Sequence, residues 1–411
     1  MNDRDNDQTL EAALENLISE ITPLAETETV SLDQAHGRIL REDVHAPIAV
    51  PLQDTAAVDG YAFYHDDLAD TPLPVRGHIR AGHPLEGAAP RGAAYRIFTG
   101  APMPDGPDSV AMEEFCSLDA DGRVTLPDGI RKGANFRPMG ENVAEGEKII
   151  SAGTKLGPSE IGLAAAVGVS RLKVTRRLRI GLLSMGDEIH ETGAAAGNTP
   201  VQLHDSNRPM LSRMLTADGH EVIDLGIIPD DRDKLAAAYR EAVSRADLVV
   251  SSGGSSAGEE DHARPAIEAN GGRISFWRLA IKPGRPMAVG WIDGKPLFCL
   301  PGNPVAAFVC CRLLITPAVT AFQGGVVPAV MKLPLPARFS HSNKQRRAQY
   351  LRARLVHDAN GAPGIAIHGR AGAGVLSSLA GADGLVEIPR DCAEVRDGDM
   401  LAFIPFREAA L

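Results

Sequence analysis

Leu248-Val249-Val250-Ser251-Ser252-Gly253-Gly254-Ser255-Ser256-Ala257-Gly258-Glu259-Glu260-Asp261 changes character partway along. Its first residues, 248–251, form a short apolar run rich in valine, which reads as a buried strand. A loop of serine, glycine and acids follows, and helical patterning begins at His262 and continues to Ala269. The same grammar recurs on both sides. Strands are expected at 178–184, 221–227, 287–291 and 297–300, and helices at 206–218, 233–246 and 304–314. Strands alternating with helices predict a mostly parallel sheet covered on both faces.

Towards the N-terminus the pattern differs. Leu10, Ala13, Leu14, Leu17, Ile18 and Ile21 recur at helical spacing and predict an amphipathic helix. A second short helix is expected from Ser31, with Gln34 completing a capping box and Gly37 near its end. Residues 43–146 are rich in Gly, Pro and β-branched types, and runs such as 93–98 and 109–112 read as strands of a compact β domain. Gly157-Pro158-Ser159-Glu160 then opens another helix to about residue 167, since proline suits a first helical turn. Beyond about residue 330, short strands broken by glycine return. The expected fold class is therefore multidomain α/β plus β. It comprises a discontinuous helical/linker domain (1–44 and 146–177), an inserted β domain (45–145), an α/β domain (178–327) and a C-terminal β-barrel-like domain (328–411).

With 411 residues, the chain exceeds what one ordinary core accommodates. Its 44% hydrophobic and 23% charged content is that of a soluble globular protein, and aromatics at 4% leave the cores to aliphatic side chains. The net charge of −11 argues against sequence-independent nucleic-acid binding and requires any anionic substrate to find a local cationic cluster. Met1 to Gln8 are polar and acidic, unlike a signal peptide. No apolar run reaches the roughly 18–20 residues of a membrane helix; the best, 304–317, is short and carries Arg312. Five cysteines without a C-x-x-C pair suit buried thiols in a reducing cytoplasm.

The chemistry gathers where the α/β strands end. In open α/β sheets, ligands bind beyond the carboxyl ends of the strands. Here those ends read Ser184-Met185-Gly186-Asp187-Glu188, Ile228-Pro229-Asp230-Asp231, the Ser252-Gly253-Gly254-Ser255 loop down to Asp261, and Pro301-Gly302-Asn303-Pro304. The Ser/Gly run offers backbone N–H groups that suit phosphate, although such loops are common. Glu188, Asp230 and Asp261 each end a different strand. If they converge, each pair repels by about 4 kcal/mol at a separation of about 4 Å and an effective dielectric of about 20. A divalent cation such as Mg²⁺ answers that repulsion; singly, each acid reads more readily as a helix N-cap or first-turn acid, a reading that fits all three together less well. Arg278, Lys282 and Arg285 surround a proline-braced turn that either holds an oxyanion or is a solvated basic loop. Asp59-Gly60 reads by default as a hairpin turn and Thr99-Gly100 as a strand end.

Taken in order, DTAAVDGYA (from Asp54), IFTGAPMPDG (from Ile97), SMGDEI (from Ser184), HDSN (from His204), GIIPDD (from Gly226), SSGGSSAGEEDHA (from Ser251), LAIKPGRP (from Leu279) and LPGNPVAAF (from Leu300) resemble the molybdopterin molybdenumtransferase family, which includes bacterial MoeA proteins and the C-terminal domain of gephyrin. The resemblance spans nearly the whole chain. It implies Mg²⁺-dependent insertion of molybdate into adenylylated molybdopterin with release of AMP, the final step of molybdenum cofactor biosynthesis. It further implies Asp230 and Asp261 as Mg²⁺ ligands with Glu188 beside them, and Lys282 and Arg285 as holders of molybdate. Ser252, Gly253, Gly254, Ser255, Pro301, Gly302, Asn303 and Pro304 would line the cofactor pocket, and Asp59 and Thr99 match active-site positions of the β domain. An elongated homodimer is implied, in which Asp59 acts across the interface, with hand-over of product to other cofactor-synthesis proteins or apo-molybdoenzymes. The chain departs from the family pattern at Val58, Asn142, Ser255, Ala257 and Ala306, and Arg285 stands where lysine is common. Three other readings stay open: the adenylyltransferase built on the same α/β domain, a tungstate-selecting paralogue, and a non-catalytic pterin-binding scaffold.

Overall fold

The structure is a computed structural model and describes residues 7–193, 203–217, 219–254, 262–344 and 347–406. Two compact units emerge. One comprises Met1–Glu28, Gly37–Ile39 and Thr175–Leu411, the other Thr29–His36 and Leu40–Val174.

In the larger unit, α1 (Leu10–Glu20) is capped by Thr9, whose hydroxyl accepts the Ala12 N–H at 3.2 Å. Its stripe of Leu10, Ala13 and Leu17 is buried in one core with Leu279, Ile281, Met287, Leu314 and Val319. Full burial of a leucine stabilises by about 1.5–3 kcal/mol. The stripe fixed which face is buried, and the apolar residues of the α/β segment took it.

The alternating pattern becomes β1 (Arg179–Met185), α2 (Asn207–Ala217), β2 (Glu221–Ile228), α3 (Arg232–Arg245), β3 (Leu248–Ser252), α4 (Ala263–Ala269), β4 (Arg273–Phe276), β5 (Ala288–Ile292) and β6 (Lys295–Leu300). The strand order is β2-β1-β3-β6-β5-β4. β2, β1, β3 and β6 are parallel, β5 runs antiparallel to β6, and β4 antiparallel to β5. Apolar residues pack both faces: Ile180 and Leu182 lie in the core shared with α1, while Leu183, Val249 and Cys299 pack against α3 and α4.

After β6 the helix does not stop near residue 314. α5 (Pro304–Cys310) passes through a π-helical turn, Cys311–Ile315, into α6 (Thr316–Phe322). Pro317 has no N–H to donate, and a wider turn just before it accommodates the missing bond. The run Pro304–Phe322 is long and apolar enough to cross a membrane, but it is mostly buried inside this unit as a core helix.

The C-terminal strands are β7 (Leu333–Pro336), β8 (Ala348–His357), β9 (Pro363–Ile367), β10 (Gly384–Ile388) and β11 (Met400–Pro405). They pair in the order β8-β10-β11-β7, with β9 on the other side of β8. A bridge between Ala337 and Ile365 joins the β7 end to β9 and closes the path into a small barrel. Ile281–Lys282, from the α/β segment, adds to β8.

The smaller unit contains a six-stranded sheet in the order Ser109–Met112, Gly60–Phe63, Ala94–Ile97, Leu73–Ile79, Arg123–Thr125 and Ser117–Leu118. The helix Pro158–Ala166 covers a separate cluster of Leu40, Val44, Ile150, Leu156, Leu172 and Val174. The short helix expected from Ser31 is only a single 3-10 turn, Leu32–Gln34, and Ser31 makes no side-chain cap bond.

Candidate functional site

The carboxyl ends of β1, β2, β3 and β6 open onto a cleft of about 920 Å³. Glu188 and Asp230 lie along it, as do Ser252 to Gly254, Arg278, Arg285 and the Pro301 to Pro304 loop. Gly374 and Leu376 reach it from the barrel.

Two glycines allow β3 to end where it does. Gly253 has φ +94° and Gly254 φ +65°, and a Cβ on either would fall 2.2 Å from the Met185 carbonyl oxygen or 2.3 Å from its sulfur. The loop leaving β3 thus crosses the end of β1 at backbone distance. The phosphate reading of this loop is narrowed by what its groups already do. The Gly253 N–H donates to the Leu300 carbonyl at 3.1 Å, Ser251 Oγ is 3.0 Å from the Tyr239 hydroxyl, and Ser252 Oγ accepts from Asn207. Ser255 and Asp261 lie outside the described residues.

The acids separate into caps and cleft groups. Asp231 is the N-cap of α3, accepting the N–H groups of Asp233 and Lys234 at 2.9 Å each. Those bonds, that of Lys234 foremost, hold its carboxyl below the usual range. Asp230 instead pairs with Asp187: each carboxylate accepts the other's backbone N–H at 3.2 Å. One oxygen of each is so engaged, and both side chains sit at the exposed ends of neighbouring strands. Among the described residues, no group of three or more His, Cys, Asp or Glu could hold a metal ion. Two hard carboxylates without a closed cage do suit Mg²⁺, which keeps water and shares its coordination with phosphate oxygens.

Sequence reasoning quoted Asn207 but gave it no role. Its Nδ2 donates to Ser252 Oγ and to the Gly302 carbonyl, both at 2.7 Å. A carbonyl only accepts, so this orientation of the amide is fixed. Oδ1 is left buried with no hydrogen-bond partner among the described residues, as is Ser184 Oγ, and both residues line the cleft. An unpaired buried acceptor costs about 1–3 kcal/mol, a cost that a donor reaching Asn207 Oδ1 would relieve. Beneath it, Asp205 accepts the backbone N–H groups of Asn207 and Arg208 at 3.0 and 3.1 Å, and Arg208 also pairs with Asp224 and Glu191. Burial acts to lower the Arg208 pKa, and these carboxylates outweigh it, holding the guanidinium charged.

The basic turn divides as well. Arg285 lines the cleft, and Arg278 with it. Lys282, expected as a partner of Arg285, is exposed on the short strand paired with β8 and is not among the described lining residues. Strand alternation is the reason: Ile281 is buried beneath the barrel, so its neighbour points away.

In the smaller unit Asp59 and Thr99 meet. Asp59 Oδ1 accepts the Thr99 N–H at 2.7 Å and its hydroxyl at 2.8 Å, and these two bonds lower the carboxyl pKa. Asp59-Gly60 is not the hairpin turn its sequence suggests. Gly60 begins a strand, and a Cβ there would lie 1.9 Å from the Ala111 carbonyl oxygen. Arg96 bonds the Gly60 carbonyl at 3.1 Å, pairs with Glu113, and lies over the rings of Tyr61 and Phe98.

Residues 8–168 match the MoeA N-terminal region (domain I and II), 181–321 a probable molybdopterin binding domain, and 334–406 the MoeA C-terminal region (domain IV). The chain is 38% identical over 317 residues to the molybdopterin molybdenumtransferase of Haemophilus influenzae, covering 77% of this chain and 78% of that one. Against molybdopterin molybdenumtransferase 2 of Mycobacterium tuberculosis, identity is 32% over 398 residues, or 94% and 97% of the two chains. A crystal structure of the molybdopterin biosynthesis moeA protein from Pyrococcus horikoshii OT3 superposes with a TM-score of 0.82 at 25% identity, covering 98% of this chain and 100% of that one.

Proposed function

Because the chain belongs to the MoeA family, whose curated relatives are transferases of molybdenum cofactor biosynthesis, we propose that its cleft inserts molybdate into adenylylated molybdopterin with release of AMP. The observation that carries this reading is the segregation of charge along one cleft. The carboxylates of Glu188 and Asp230 lie at the ends of β1 and β2, and the guanidinium groups of Arg278 and Arg285 come from the turn before β5. A substrate with a metal-associated phosphoanhydride at one end and an oxyanion at the other matches that layout.

Asp230, together with Asp261, would hold Mg²⁺, which when bound neutralises charge on the phosphoanhydride oxygens. Arg285 would hold molybdate against the dithiolene sulfurs, with Lys282 nearby in sequence supplying longer-range attraction. The Pro301 to Pro304 loop and Ser252 to Gly254 would shape the pterin pocket, where Asn207 Oδ1 accepts an N–H of the heterocycle. Water would attack a phosphorus of the phosphoanhydride, its oxygen replacing the bridging one, so that AMP leaves. The two dithiolene sulfurs would replace two molybdate oxygens, which depart as water with the thiol protons and protons from solvent, the molybdenum oxidation state being unchanged. Catalysis of this kind rests on positioning and electrostatics rather than on a protein nucleophile. Asp59 and Thr99 would act from the smaller unit, across a homodimer interface.

The test is AMP release from adenylylated molybdopterin by the purified protein, with and without Mg²⁺ and with molybdate, tungstate or neither. Release that needs both Mg²⁺ and molybdate, with product that reconstitutes an apo-molybdoenzyme, is expected. Substrate binding without release would leave the scaffold reading instead.

A further inference from the structure

The guanidinium proposed to receive the oxyanion already has a carboxylate on it. Arg285 Nε donates to Asp7 Oδ2 at 2.7 Å and Nη2 to Asp7 Oδ1 at 3.2 Å. The Asp7 side chain is 6% exposed and that of Arg285 29%, so a nearly buried carboxylate sits on a guanidinium that lines the cleft.

This contact is built in from both sides. Gln8 forms a parallel bridge with Leu279: its N–H donates to the Arg278 carbonyl at 3.1 Å, and its carbonyl accepts the Ala280 N–H at 2.7 Å. Thr9 caps α1 directly afterwards, and α1 is anchored by Leu10, Ala13 and Leu17. Asp7 is therefore fixed by a strand bridge and a capped helix. The Arg285 backbone is fixed too, since its carbonyl accepts the Leu279 N–H at 3.0 Å and the adjoining Gly284 packs against Cys310, where a Cβ would fall 2.6 Å from the sulfur.

A guanidinium paired side-on with a carboxylate presents a dipole to the cleft in place of a full positive charge. It still directs hydrogen bonds, but long-range attraction for an anion is largely cancelled. We propose that Asp7 is an affinity-setting residue of the oxyanion corner: a built-in counter-ion that keeps Arg285 from holding a tetrahedral anion too tightly, so that the anion can leave the corner for its next bonding partner. This inference rests on the reading of Arg285 as an oxyanion contact.

Equilibrium dialysis of inorganic molybdate against the full-length protein tests it, with wild type, Asp7→Asn, Asp7→Ala, Arg285→Ala and the Asp7→Asn/Arg285→Ala double variant at low and high salt. Thermal unfolding of each confirms that the chain is folded; asparagine is isosteric and keeps the Gln8 bridge. Asp7→Asn and Asp7→Ala are expected to bind molybdate roughly tenfold tighter (about 1.4 kcal/mol), with steeper salt dependence, and the gain is expected to vanish in the Arg285→Ala background. Unchanged or weaker binding by both Asp7 variants, while Arg285→Ala still loses affinity, overturns the role of Asp7 and leaves the oxyanion corner standing. Arg285→Ala binding as well as wild type overturns the corner itself, and the inference with it.

Discussion

Replacing Asn207 with alanine separates a structural role from a binding role. The amide makes two 2.7 Å bonds, to Ser252 Oγ and the Gly302 carbonyl, and leaves Oδ1 buried and unpaired. Losing two neutral hydrogen bonds costs about 1–3 kcal/mol in sum, and removing an orphaned acceptor returns about 1–3 kcal/mol. Gly302 is exposed, so water can replace the lost donor there, and Ser252 Oγ keeps its 3.4 Å contact with the Pro301 carbonyl. The free protein is therefore expected to change in stability by no more than about 2 kcal/mol, a melting shift of several degrees. Substrate binding is expected to suffer more. A ligand donor that satisfies Oδ1 recovers the orphan's cost, so its loss weakens binding roughly 5- to 150-fold. The assay pairs thermal unfolding of the free protein with the dissociation constant for adenylylated molybdopterin, read from intrinsic or pterin fluorescence. A large drop in melting temperature with an unchanged dissociation constant would refute the reasoning and make Asn207 a purely structural clamp.

Neighbouring acids at the end of β2 should behave differently: Asp230→Asn is expected to lower Mg²⁺-dependent AMP release by at least about tenfold, whereas Asp231→Ala, which removes the α3 cap, should lower the melting temperature and spare turnover. Equal turnover in the two variants would contradict the assignment. Asp247 accepts from Arg176 at 2.7 and 2.8 Å and from the Arg179 N–H at 2.8 Å; burial would raise its pKa, and these partners outweigh it and lower it. Its contribution to stability is then fully present above about pH 4 and drains as pH falls through the lowered folded value. Asp247→Asn should accordingly flatten the acid limb of the stability profile and cost roughly 1.5–3 kcal/mol at neutral pH, as read by urea unfolding across pH. Leu17→Ala should destabilise the unit of α1 and the α/β sheet by about 2–5 kcal/mol in the same denaturation assay; no change would mean that α1 does not carry that core.

Much of the site was legible because strand ends in parallel sheets are local features. An apolar run followed by Gly, Ser and acid residues marks both the strand and the place where its loop must turn, so Glu188, Asp230, Ser252 to Gly254 and Pro301 to Pro304 could be named without coordinates, and they do line one cleft. The same local grammar misread Asp59-Gly60 as a turn, because the carbonyl of Ala111 that forbids a side chain at Gly60 lies far away in sequence.

What the sequence by itself determined, then, is the set of quantities carried by neighbours along the chain: periodicity, caps, breakers, and which chemical groups sit at strand ends. Tertiary structure alone decided partners. An amphipathic stripe states that α1 buries Leu10, Ala13 and Leu17, but only competition between surfaces sends it to the α/β unit. A basic turn offers three cations; pairing of Ile281 and Lys282 with β8 turns Lys282 outward, and the bridge at Gln8 brings Asp7 onto Arg285. Asn207 owes its fixed amide to a carbonyl 95 positions away. Each depends on burial and hydrogen bonding between segments remote in sequence, which no local pattern encodes.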